Sequence, residues 1–533
     1  MNKIIPQIKK SFYLSKSEDI LRRVEIISAV IIIFLMSLMI IANLMIGFNL
    51  FLFVIVTIPS FLISFFFPRS GVYAIIFLTF VWERFFTLTP ILLGRQEHKI
   101  YSLDVILLAV FSGIAFQVFN SFIKNDKRFK TFIKSFLQYK KSIKYFLVFL
   151  GLVAGHFFLD ITLQSEINRT VAFSSFKYYT FYPIFYLIII ILFNKKEDIK
   201  ILFKFALSGG VMIIFFILYG IINGGGAWTE FTPMSTSGIR ILAFTHAFYL
   251  TMLWLGLFIF VILKEKSKKM YYFLLAIFIL GILGSMMRHL WLGLGFSSLI
   301  IFFIFFTKEN KIFTLKQSKF YFPIILLVII IIGYLTLIFP YSNLHNFING
   351  IWRVIYERII SLGKIGGDAS FSWRELAWRE VFKQFFYQPL YGLGLGKSVY
   401  LETAKYHDFV QIRNIHNSWL VLFAQLGIVT GSIFCLFLFR LIKNVFIIFK
   451  EKIEWMNLVV GVLILNYIFI ALFQPYLETN MLGIFFWILL GLGTILGTRQ
   501  YLEKSDKRLE PTKKYNAVSI PKLVIGRIKI KRK

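Results

Sequence analysis

A single cysteine in 533 residues, Cys435, excludes a disulfide framework and a cysteine-ligated metal site. It lies inside an apolar run and reads as a small buried hydrophobe. Charge is also scarce: Asp, Glu, Lys and Arg make up 16% of the chain, against about 25% in soluble domains. Within that small share the acids are few, 26 against 59 Lys and Arg, for a net charge of +33.

What fills the space is apolar. Hydrophobic residues are 58% of the chain and aromatics 19%. Repeated apolar runs of about twenty residues point to a polytopic α-helical membrane protein. The runs are continuous rather than alternating, so helices and not barrel strands satisfy the backbone in lipid. The lysines collect in the connectors, as the positive-inside rule requires, and no nucleic-acid partner is expected.

Candidate spans are 24–46, 50–67, 71–93, 101–119, 145–163, 177–193, 201–222, 241–263, 270–286, 289–306, 320–340, 416–439, 455–473 and 480–498. Alternation tests their orientation. With residues 1–23 as a basic cytoplasmic N-terminus, the runs KNDKRFK (124–130), YKKSIK (139–144), KEKSKK (264–269) and KENK (308–311) all fall on the cytoplasmic side. So does the basic tail, 499–533. The expected fold is therefore all-α, with about fourteen transmembrane helices and both termini inside. The bundle divides into 24–340 and 416–498, separated by one long external loop, 341–415. The first span follows a basic segment without a small-residue cleavage site, and reads as retained.

The loop carries two amphipathic patterns. Residues 347–362 present an apolar face with Arg353, Glu357 and Ser361 as its polar stripe. Ser372 and Glu375 have capping-box spacing and would open a second helix running to about Gln388. Helical projection puts Trp373, Ala377, Trp378, Val381, Phe382 and Phe385 on one face, and Arg374 projects from the middle of it. An arginine there must snorkel, pair or meet an anion. The glycines of GLGLG (392–396) follow a helix rather than a strand, so they form a turn and not a dinucleotide site.

The alternation brings three more polar groups to the external side: Arg240, Arg288 and His416, each at a span end. Taken singly, each also reads as an interface anchor. Together with Arg374 they suit a diphosphate, because the guanidinium fork matches phosphate oxygens and stays charged. Histidine is the side chain suited to accept a hydroxyl proton near neutral pH. There is no acidic or histidine pair at ligand spacing on this face, so neither a metal nor a cofactor is expected. Glu83 and Arg84, inside the third span, read as a structural ion pair. Asp160 and Glu478 are weak site candidates. His156, His246 and His289 have no partner nameable from sequence. The GGG at 224–226 reads as a flexible loop.

The block RELAWREVFKQFFYQPLYGLGLG, followed by IHNSWLVLFAQLGIVTGSIF, resembles the O-antigen ligase and polymerase superfamily. Arg240 in GIRILAFTHAFYL and Arg288 in SMMRHLWLGL are similar to its two upstream arginine signatures, so the likeness covers roughly 237–439. The resemblance implies a GT-C-like, inverting, metal-independent glycosyltransferase of the bacterial cytoplasmic membrane. Its donor would be an undecaprenyl-diphosphate-linked glycan, and its acceptor a glycan, a lipid A-core or a protein. Arg240 and Arg288 would hold the diphosphate, His416 would act as or position the base, and Arg374 would contact phosphate or sugar. Members with about twelve spans are common, so the count of about fourteen is a departure. Ligase and polymerase differ only in acceptor, which the sequence leaves open. A flippase for the same lipids is the rival from another class, although no two similar halves are visible.

Overall fold

The computed structural model describes residues 4–82, 86, 91–93, 96–98, 101–124, 136–164, 167–223, 225–227, 240–263, 269–307, 369–402, 407–449 and 454–509. The expected span 320–340, the helix 347–362 and the Glu83–Arg84 pair lie outside these residues.

Among the described residues the helices are α1 (Ile4–Ile46), α2 (Leu50–Phe66), α3 (Pro68–Trp82), α4 (Ser102–Ile123) and α5 (Lys140–Leu163). Then come α6 (Arg169–Leu192, with a π-helical turn at Lys177–Phe181), α7 (Lys196–Asn223), α8 (Phe244–Leu263), α9 (Lys269–Gly284) and α10 (Arg288–Thr307). After the loop come α11 (Ala369–Phe385), α12 (Ser418–Phe449), α13 (Trp455–Ile470) and α14 (Asn480–Leu509). Eight helices are long and apolar enough to cross a membrane, and five shorter apolar ones accompany them. The protein is an all-α, multi-pass membrane protein. Each of these helices falls on an expected span, with one clear trim. Helix α3 is described as far as Trp82, and Ile91–Leu93, expected as the end of that span, is a strand paired with Gln96–His98.

The last apolar helix is the central post. In α14, 94% of the most apolar stretch is buried, against 28–67% for the other seven long spans. It packs on α6, α12 and α13, which explains why it is apolar all round. Trp487 is its anchor, in ring contact with Phe146, Phe149, Phe434, Phe437 and Phe486.

At one end of the bundle charges are tied in pairs across helices. Arg22 donates to Asp198 at 3.2 Å, and Arg69 reaches Glu25 at 3.3 Å and Asp198 at 3.6 Å. Arg69 also donates through Nε to the Leu192 carbonyl, and Lys196 pairs with Glu454 at 2.8 Å.

Candidate active site

The segment between α10 and α12 is fastened to the bundle through a break in α12. Gly427 has φ +72° and ψ 175° inside that helix, which removes its regular hydrogen bonding there. The freed groups are met by the PLYGLGLG turn: Ile428 N–H donates to the Pro389 carbonyl, while the Ala424 and Gln425 carbonyls accept from Leu393 and Gly394. Gly392, Gly394 and Gly396 all have φ near +90°, a region that only glycine adopts without strain. A Cβ on Gly427 would lie 2.2 Å from the Leu390 carbonyl. Irregular backbone at membrane depth survives only when protein satisfies it, and here it does. Asp160 completes the clasp, accepting from Leu395 N–H at 2.6 Å and from the Tyr391 hydroxyl at 2.7 Å. Its role is thus structural.

Helix α11 sits beside this turn. It begins at Ala369, three residues before the expected cap, so Ser372 lies within the helix rather than capping it. Ala377 and Val381 are buried and Glu375, Arg379 and Lys383 exposed, as the helical projection expects, but Phe382 is 46% exposed. A hairpin not expected from the sequence, Ser398–Glu402 against His407–Gln411, packs on α11. Its inward Val399 and Leu401 join Ala377, Val381, Ile412 and Ile415 in a small separate core. Trp378 Nε1 donates to the Ile415 carbonyl at 2.7 Å, tying α11 to the residue before His416.

His416 is held on every side. Asn417 caps α12 by accepting from Leu420 N–H at 3.0 Å, and Ser418 N–H bonds the Ala471 carbonyl at the end of α13. His416 itself has φ +57°, a conformation costing a non-glycine residue about 1–3 kcal/mol and typical of functional positions. Its Nδ1 lies 2.6 Å from Gln474 Oε1. An amide oxygen only accepts, so Nδ1 carries the proton and Nε2 presents a lone pair. The Trp373 ring stands edge-on at 5.7 Å. Burial first, and then the nearby Arg374 charge, hold the His416 pKa below the usual imidazole range, with the Gln474 bond acting in the opposite direction.

Arg240 and Arg288 approach from a second pair of segments. Arg240 is 3% exposed, and its carbonyl accepts from Gly226 N–H at 2.6 Å. The next residue, Ile241, bonds the Gly284 carbonyl at the end of α9. A Cβ on Gly226 or Gly284 would strike Ile241 at 2.5 or 2.2 Å. Gly226, read from sequence as a flexible loop, is instead a packing position. The turn then reaches Met286, the other non-glycine residue with positive φ (+58°) among those described, and Arg288 opens α10.

These segments meet at His289. Its Nε2 is 2.5 Å from the Tyr476 hydroxyl, and the strongest charges acting on it are Arg374, His416, Arg240 and Arg288. All four sequence-derived site residues therefore lie near enough to act electrostatically on one buried histidine. Beneath them, Glu478 accepts from Tyr179 and from Ser418, both at 2.5 Å, and Ser418 also accepts from Leu477 N–H. Burial raises the Glu478 carboxyl to about 7. Sequence reading missed His289, Gln474 and Tyr476. The signal available was their address: His289 follows Arg288, and the turn FQPYLE lies on the external side by alternation. His156 and His246, by contrast, bond Thr430 and the Val81 carbonyl away from this cluster.

Residues 272–435 match the family model described as O-antigen ligase. This match supports the O-antigen ligase superfamily for the segment that it covers. A search of the curated proteins finds no match. The matched segment holds α9, α10, α11, the hairpin and the first half of α12, and hence Arg288, Arg374 and His416. Arg240, included in the likeness read from sequence, lies upstream of it, and Gln474, Tyr476 and Glu478 lie downstream. The O-antigen ligase family supports ligase-like or polymerase-type glycan transfer at a membrane.

Proposed function

We propose that this chain is an inverting, metal-independent glycosyltransferase acting on an undecaprenyl-diphosphate-linked glycan at the outer face of the bacterial cytoplasmic membrane, O-antigen ligase-like in its reaction. The observation that carries the reading is the gathering of Arg240, Arg288, Arg374 and His416 about His289, beside the His416–Gln474 hydrogen bond. On this reading the fold is a GT-C-like bundle of about fourteen spans with both termini cytoplasmic.

The acceptor hydroxyl oxygen attacks the anomeric carbon, and its proton passes to His416 Nε2, whose lone pair the Gln474 bond leaves available. The bond from the anomeric carbon to the phosphate oxygen breaks on the opposite face, which inverts the configuration. The electron pair leaves with the lipid diphosphate, and Arg240 and Arg288 neutralise its growing charge. Arg374, on the loop helix, adds a phosphate or sugar contact. The buried position of the cluster keeps water from competing as acceptor.

Polymerase-type transfer follows the same steps with a second glycan as acceptor, and the acceptor that works separates the two. The test is reconstitution in liposomes with a lipid-diphosphate glycan donor and a panel of glycan, lipid A-core and protein acceptors. A new glycosidic bond with inverted configuration is expected, insensitive to EDTA. Movement of donor across the bilayer without bond formation overturns the reading in favour of a flippase.

A further inference from the structure

A second feature lies at the opposite end of the bundle from His416. A cavity of about 560 Å³ opens between α3, α7, α8, α13 and α14, with Phe80, Leu253, Leu463 and Phe485 among its apolar walls. Two lysines, Lys200 and Lys204, line its edge and are exposed. Trp455 and Tyr271 stand on the same rim, both against Phe260. We propose that this crevice binds an anionic glycerophospholipid, one acyl chain inside it and the phosphate on Lys200 and Lys204.

Four observations converge on this occupant. First, the lysines are four residues apart on α7, so they share one face and reach the same point. Second, most of the charges around them are already matched. Arg22 and Arg69 meet Glu25 and Asp198, and Lys196 meets Glu454. Lys200 has only an exposed contact with Glu197 at 3.9 Å, a type of pair worth little in water, and Lys204 has no ion-pair partner among the described residues. Among the described residues a local positive surplus remains at the mouth of an apolar slot.

Third, tryptophan and tyrosine favour the headgroup level, where one edge is apolar and the other wet. Trp455 opens α13 and Tyr271 lies in the first turn of α9, which sets the rim at that level. Fourth, the volume suits a single small ligand rather than bulk lipid, whereas the walls carry almost no groups to hydrogen-bond a sugar. A basic cleft between helices at a membrane surface is a recognised form of phospholipid headgroup site. The site is separate from the transfer chemistry, and its test does not depend on it.

The experiment is native mass spectrometry of the full chain, released from nanodiscs that contain equal amounts of palmitoyl-oleoyl phosphatidylglycerol and palmitoyl-oleoyl phosphatidylcholine. Wild type is expected to retain one phosphatidylglycerol about tenfold more often than phosphatidylcholine. The double variant Lys200→Gln/Lys204→Gln, whose changes are on the surface, should lose that preference while leaving the weak phosphatidylcholine signal unchanged. Gly256→Leu, which fills the slot from its wall, should lower retention of both lipids. Equal retention of the two lipids by wild type, or an undiminished preference in the double variant, overturns the proposal. Displacement of phosphatidylglycerol by undecaprenyl phosphate at equal mole fraction overturns the assigned occupant.

Discussion

At one end of the bundle Arg22 and Arg69 meet Glu25 and Asp198. At the other, Arg240, Arg288 and Arg374 gather with His416 about His289 and Tyr476. Both clusters join distant segments, and both are largely withdrawn from water. They differ in balance. In the first, two cations face two carboxylates and every backbone stays helical. In the second, three arginines act on the central histidine, and the acid of the neighbouring turn, Glu478, is engaged by Tyr179 and Ser418. The two positive-φ non-glycine residues among those described, Met286 and His416, also sit at this second cluster. A balanced cluster holds helices together. On the proposed reading, the second cluster, with its local strain, receives the diphosphate of the donor.

The largest effect should come from the second cluster and appear in rate. His416→Ala is expected to lower glycan transfer in liposomes by about 10²–10⁴-fold, the usual worth of a positioned base, with little change in thermal stability. Alanine keeps a Cβ and hence the strained φ, and the lost Gln474 bond is worth about 1 kcal/mol, so the stability change is small beside the rate loss. Transfer at the wild-type rate would remove His416 from the mechanism and erase the contrast between the two ends.

The converse change belongs to the first cluster. Arg69→Met leaves Glu25 and Asp198 buried without their shared partner and removes the donor to the Leu192 carbonyl. Breaking a buried pair from one side costs about 3–5 kcal/mol. The unfolding midpoint in detergent should fall sharply, while transfer per folded molecule, measured on the surviving fraction, stays near wild type. A loss of specific activity with normal stability would mean that the balanced cluster also serves the reaction.

The same contrast explains what could be read in advance. Helix α14 and its neighbours were legible because twenty-residue apolar runs have few alternatives in a membrane. Arg240, Arg288 and His416 could be nominated because the lysine alternation assigned their span ends to one side, and Arg374 because it projects from an apolar helix face. Gln474 was not, because a glutamine in a short turn carries no pattern, and its meaning depends on the 2.6 Å approach to a histidine 58 residues away. The break at Gly427 was hidden for a similar reason. AQLGIVTG reads as ordinary helix until the PLYGLGLG turn is seen donating to the Ala424 and Gln425 carbonyls. Asp160 looked like a candidate for chemistry because a carboxylate at a span end invites that reading, and only its bonds to Leu395 and Tyr391 make it a clasp.

Glu478 gives a smaller, pH-dependent test of how the second cluster is supported. Its folded pKa is about 7 against an ordinary 4.5, with burial as the cause. A raised carboxyl pKa stabilises the fold fully below the unfolded value, and that stabilisation is lost as pH rises through the folded one. Against Glu478→Gln, which does not titrate, wild type should therefore lose stability between pH 4.5 and 7, by on the order of 3 kcal/mol in total. Parallel stability curves for the two proteins over that range would contradict a protonated, buried Glu478.

The smallest effect is the most specific to the proposed base. Only neutral His416 can accept a proton, so the acid limb of the pH–rate profile should follow its pKa. Burial and Arg374 hold that pKa below the usual imidazole range, so wild-type transfer should persist into mildly acidic solution. Gln474→Glu keeps an acceptor oxygen for Nδ1–H but makes it anionic, which favours the imidazolium. The acid limb should then move up by about one pH unit, with the plateau rate at high pH nearly retained. Gln474→Leu removes the acceptor, frees the ring to adopt either tautomer, and should lower the plateau without moving the limb upward. A limb that stays fixed in Gln474→Glu while transfer persists would separate His416 from the titrating group. On the proposed reading, the arginines would then bind the diphosphate without His416 supplying the base.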